Sequence, residues 1–191
     1  MPRPSTLLPT LVLLLAFVLI FVPGAAWAQS NPVISVGSGL VLGGEERLYI
    51  DNPLDVWVDR DTDVLVSATV QWPLTSSFFG GAYLEYETIS SDGVSGYRVG
   101  FGPTFMGRYL QGSVGLEGGG MVGLGYATAD GFDSQTGLEF GMLVGPVFQV
   151  SPSLLLGVHL QSLYGFYSGG DAPEGVQNIS PRVAARLYFT L

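Results

Sequence analysis

The sequence predicts an all-β protein: an eight-stranded antiparallel up-and-down transmembrane β-barrel behind a cleavable signal peptide. Three observations carry that expectation. Eight stretches alternate apolar and polar residues with a period of two. The connections between them alternate between short and long, the layout of a barrel with tight turns at one mouth and larger loops at the other. The last stretch, Pro181–Leu191, is such an alternating strand. A strand in that position needs a neighbour on both edges, and the first strand is the one left to supply it.

Taken in order, the chain begins with a targeting segment. Leu11–Val22 is an unbroken apolar run, Pro23-Gly24 breaks it, and Ala26-Trp27-Ala28 has the small-x-small pattern of a cleavage site before Gln29. The run is shorter than the roughly 20 residues a spanning helix needs. Residues 1–28 are therefore assigned as signal peptide and 29–191 as the barrel domain. The eight alternating stretches are Pro32–Gly43, Asp63–Leu74, Phe78–Thr88, Gly96–Met106, Tyr109–Ala127, Gln135–Val150, Ser153–Tyr167 and Pro181–Leu191. Short turns are expected at 73–77, 107–108 and 151–152, and outer loops at 44–62, 89–95, 128–134 and 169–180.

Alternation leaves open which face points outward. One face is rich in Leu, Val, Phe and Tyr; the other carries Gly, Ser, Gln and a few charges. As a water-facing wall the second face is too poor in charge for solubility, and the chain has no lysine to blunt an edge. As the packed interior of a narrow barrel it is well suited, because small residues fit a tight lumen. The apolar face then meets lipid. Aromatics near strand ends, among them Trp72, Phe78, Tyr97, Phe105, Tyr126, Phe148, Phe166 and Phe189, match the girdles of such barrels.

The signal segment, the eight alternating strands, the asymmetry of the loops and the final Leu187-Tyr188-Phe189-Thr190-Leu191 together resemble the small outer-membrane barrels of the OmpA-transmembrane-domain and OmpX type. The resemblance covers residues 29–191 and is architectural. Strands of that family usually end in Phe or Trp, whereas here Phe189 lies two positions before a terminal Leu191. The resemblance implies the outer membrane of a Gram-negative cell, a monomer surrounded by outer-membrane lipid and lipopolysaccharide, and handling by the barrel-assembly machinery.

Facing assigns the inward charges as Glu85, Glu87, Arg98, Glu117, Glu139, Arg182 and Arg186, joined by His159. They are expected to form an ion-pair network that plugs the lumen, most of it in the outer half. Glu85 and Arg98 are expected opposite each other across the 89–95 loop, and Arg182 and Arg186 are expected to reach toward Glu117 and Glu139. Eight strands leave an interior filled by side chains rather than a diffusion pore. A second group, Asp59, Asp61 and Asp63 in the acidic 44–62 segment, is a candidate for holding divalent cations against lipopolysaccharide phosphates. The EF-hand pattern is not completed there, since Val64 stands where glycine is needed.

Other chemistry finds little support. His159 and Ser162 fall on opposite faces of one strand, which spoils a nucleophile–base contact. The barrel family of lipid A deacylases carries His and Ser two apart on one face, a spacing absent here. Gly118-Gly119-Gly120-Met121-Val122-Gly123 matches G-x-G-x-x-G but opens no helix, so it is not a dinucleotide site. No cysteine is present, which removes disulfides and thiolate metal sites, and no cofactor or catalytic residue is assigned. All seven basic residues are arginine against sixteen acids, a formal charge of −9 that repels nucleic acid. The expected role is non-enzymatic, in envelope structure or in surface interaction through the outer loops. A narrow ion or small-solute channel and a lipid-modifying enzyme are the alternatives.

Overall fold

The computed structural model describes residues 31–43, 45–49, 55–59, 61–91, 94–130, 134–169 and 172–191. The signal segment assigned to residues 1–28 lies outside them. Among the described residues there is no helix. Ten strands follow in chain order: β1 Val33–Leu42, β2 Glu45–Tyr49, β3 Asp55–Asp59, β4 Thr62–Pro73, β5 Phe78–Ser91, β6 Val94–Gln111, β7 Val114–Ala129, β8 Gln135–Ser151, β9 Leu154–Gly169 and β10 Ala172–Thr190. Eight of them, β1 and β4 to β10, form a closed antiparallel barrel in which each strand pairs with the next, and β10 pairs with β1 along nine positions, Val33↔Thr190 to Val41↔Arg182. The seam ends where the Leu191 N–H donates to the Pro32 carbonyl at 3.1 Å.

The alternation decides the facing. On β8, Leu138, Phe140, Met142, Val144 and Phe148 are exposed on the outside, while Glu139, Gly141, Leu143, Gly145 and Val147 between them are covered. The other barrel strands repeat this pattern. A wall that exposes Met142 at 76 %, Tyr109 at 67 % and Leu160 at 64 % would be untenable in water over the whole circumference, and is what a bilayer requires.

Three boundaries differ from the sequence expectation. Gly107-Arg108 is not a turn. β6 runs through it to Gln111, and the chain reverses at Gly112-Ser113, where Gly112 has φ of +65°, in the left-handed region that suits glycine. The 169–180 loop is mostly strand, because β10 starts at Ala172. The 44–62 segment holds a hairpin, β2–β3, that continues the first barrel hairpin in the same register: Leu42 faces Thr62, and three residues further along each strand Glu45 faces Asp59. β2 also follows β1 along the edge of β10. Val41 pairs with Arg182 and Glu45 with Ile179, so four steps on one strand meet three on the other, a bulge at Gly43, whose φ is +82°.

Candidate functional site: the barrel lumen

The inward face of the strands builds the lumen in storeys. On β5 the order from the loop end is Glu87, Glu85, Tyr83, Phe79; on β6 it is Arg98, Thr104, Met106, Arg108; on β9 it is Tyr167, Leu163, His159. Polar, apolar and polar levels therefore follow one another down the axis.

The upper level is an ion cluster centred on Arg98, whose side chain is wholly buried. Its Nη1 donates to Glu87 at 2.9 Å, Nη2 donates to Glu139 at 2.6 Å, and Nε donates to Glu139 and to the Tyr167 hydroxyl, the latter at 3.0 Å. Tyr167 in turn donates to Glu139. Arg182 reaches from β10 to Glu85 at 3.0 Å and to Glu87. Arg186 lies 3.5 Å from the other oxygen of Glu85. Three arginines thus face three glutamates. A charge-balanced, buried arrangement of this kind is tolerable only while its charges are paired.

Below it Tyr83, Met106, Met121, Leu143 and Leu163 pack into an apolar layer contributed by β5 to β9, with Phe79 against it. The lower level is built around Glu117. Arg108 donates to it from Nε at 2.6 Å, Tyr188 donates its hydroxyl, and His159 Nε2 lies 3.3 Å away. The Arg108 guanidinium carbon lies over two rings, 4.8 Å from the centre of Phe79 and 4.6 Å from that of Tyr188. The electron-rich face of each ring attracts the cation.

The residues singled out in the sequence all project into this lumen, but their partners differ from expectation. The residue opposite Arg98 is Glu87; Glu85 faces Gly100 and meets Arg98 only at 3.6 Å. The hairpin centre lies one residue further along than a pairing of Glu85 with Arg98 requires. Arg182 and Arg186 turn to Glu85 and Glu87, not to Glu117 and Glu139. Glu117 and His159 sit in the inner half with Arg108, a residue that the misplaced turn had hidden. The alternation Thr104, Met106, Arg108 was the signal that could have found it.

Of the acidic trio, Asp63 is buried and accepts from the Thr88 hydroxyl at 3.3 Å and the Ser90 N–H at 3.2 Å. Asp61 is exposed, and the side chain of Asp59 lies outside the described residues. Among the described residues no three acidic or histidine side chains are grouped to hold a metal ion. His159 faces the lumen and Ser162 the outer wall, so the two do not form a nucleophile–base pair.

No protein-family model and no curated protein sequence matches the chain. Among solved structures it is similar to Neisserial surface protein A, with 15 % identity, 85 % of this chain and 98 % of that one covered and a TM-score of 0.55. It is similar also to the outer membrane protein OprG from Pseudomonas aeruginosa, with 10 % identity, 85 % and 96 % coverage and a TM-score of 0.56. The fold is that of the small outer-membrane β-barrels. With the apolar belt, that fold makes lipid the medium around the wall. The outer-membrane barrel carries its charged residues where lipid does not reach them.

Proposed function

We propose that this outer-membrane barrel is a closed, non-enzymatic envelope protein that acts as a stable wall element and presents its outer hairpins at the cell surface. The observation that carries this reading is the filled lumen: an ion cluster, an apolar layer and an arginine lying over two rings follow one another along the axis. Eight-stranded barrels have an interior just wide enough for side chains, and here those side chains engage one another. Lipopolysaccharide and phospholipid are the surroundings of the wall, a single chain closes the barrel without a second copy, and the assembly machinery of the outer membrane is the expected partner in biogenesis. Divalent cations between the acidic first hairpin and lipopolysaccharide phosphates remain part of this proposal.

Purified barrel in planar bilayers tests it. The expected result is no unitary conductance above that of protein-free membranes, together with heat-modifiable gel migration showing that the inserted protein is folded. Steps of uniform conductance from folded protein would replace this reading with that of a narrow channel. A change in lipid A mass on expression of the barrel would replace it with that of a lipid-modifying enzyme.

A further inference from the structure

The seam between β10 and β1 poses a problem that alternation does not solve. A slip of one residue would turn the apolar face inward and is excluded by burial. A slip of two residues keeps every apolar side chain outside. Val36, now opposite Leu187, would face Phe189 or Ala185, which are equally at home in lipid. Such a slip moves the strands past each other by about 6–7 Å, at roughly 3.3 Å per residue. The turns do not forbid it, because β1 and β10 are not joined by one.

We propose that the lumen side chains of β10 set the register in which this barrel closes. Two devices act, one against each direction of slip. Gly37 is paired with Arg186, and a Cβ at Gly37 would come to 2.6 Å of the Arg186 Cγ and 3.1 Å of the Ser67 hydroxyl. The arginine stem therefore lies in a groove that only glycine leaves open. A slip that brings Ser35 opposite Arg186 places a side chain in that groove. A slip the other way brings Gly39 opposite Arg186, which is sterically open. That slip is opposed by charge: it carries Arg182 away from Glu85, now 3.0 Å distant, and from Glu87, by more than the length of either contact. Both glutamates belong to β5, which is fixed to β1 through β4 by tight pairing on each side. Two carboxylates would then be left with fewer counter-ions in a buried interior, a state far more costly than an exposed broken pair. The cations thus sit on the strand that closes last in chain order, and their partners sit in the sheet it must close onto. This inference concerns assembly and stands whether or not the barrel conducts.

The absence of cysteine makes the test direct. Cysteine pairs on the outer wall report register: Val36→Cys with Leu187→Cys for the native seam, Val36→Cys with Phe189→Cys for the slip that Arg182 opposes, and Val36→Cys with Ala185→Cys for the slip that Gly37 opposes. Each pair is cross-linked with a short bifunctional maleimide after folding into phosphatidylcholine vesicles and scored over the whole sample, misfolded chains included. In the parent background the native pair should dominate. Adding Arg182→Met should raise the 36–189 cross-link at least fivefold, whereas Arg182→Lys, which keeps a cation, should restore most of the native pattern. The charge-balanced pair Arg182→Met with Glu87→Gln is the second background and should show the same slip. Native cross-links alone in both backgrounds would overturn the proposal and leave the register to hairpin geometry.

Discussion

Arg98 shows how a single buried side chain can be asked a quantitative question. It donates to Glu139 through two nitrogens and to Glu87 through a third, but reaches Glu85 only at 3.6 Å. Arg98→Met should therefore lower stability by roughly 3–5 kcal/mol, because it leaves carboxylates without a counter-ion rather than because a favourable pair is lost. A double-mutant cycle by urea unfolding in lipid vesicles should give a larger coupling of Arg98 with Glu139 than with Glu85. Equal couplings would mean that the guanidinium sits elsewhere. Arg108 makes a second case. Arg108→Lys keeps the charge beside Glu117 and weakens the cation–π contact with Phe79 and Tyr188, at about 1 kcal/mol. Arg108→Met should cost several times more in the same assay. The inward facing of the residues named beforehand was legible from alternation, a local property, whereas Arg108 was missed with the turn beside it. The pairing was not legible. Which glutamate meets which arginine depends on a one-residue shift in the β5–β6 turn and on the stagger of strands across the barrel, and neither is written in the residues concerned.

At the scale of the element, turns proved harder to place than strands. Gly107-Arg108 looks like a reversal because glycine and a charge interrupt the apolar run there. The strand nonetheless continues, since Tyr109 keeps the outward apolar phase and Arg108 has an anion to meet inside. The reversal falls at Gly112, whose positive φ is its cause. Gly112→Ala should destabilise the barrel by about 1–2 kcal/mol, the ordinary cost of a left-handed L-residue, and Gly112→Asn by less. Denaturant midpoints at unchanged slope would check both. The first outer segment was misread for a different reason. Its acidic, proline-containing sequence lacks clean alternation, and its strands form because β1 and β4 hand on their register to β2 and β3, with the edge of β10 as support.

For the whole molecule the governing fact is inversion: lipid outside, charge inside. It was legible because the two candidate faces differ so much in composition. A wall position and a lumen position on one strand therefore predict opposite chemistry. Val144, near the middle of β8 and half exposed, should tolerate Leu or Phe but not Arg, which at the bilayer midplane costs about 2–4 kcal/mol. Folding yield and urea unfolding in vesicles measure this. A silent Val144→Arg would mean that the apolar belt does not face lipid.

The inward placement of arginine also decides where a protease can act. Trypsin needs Lys or Arg; the chain has no lysine, and beyond residue 28 the arginines are at 47, 60, 98, 108, 182 and 186. The last four are buried in the lumen, each part of a hydrogen-bonded strand. Folded protein should thus resist cutting at those four and, beyond residue 28, be nicked only in the 44–62 segment, which holds Arg47 and Arg60. Intact cells exposed to trypsin from outside should yield that cut, and sealed vesicles presenting the short-turn mouth should yield none. One digestion would in this way report both the orientation of the barrel and the integrity of its wall.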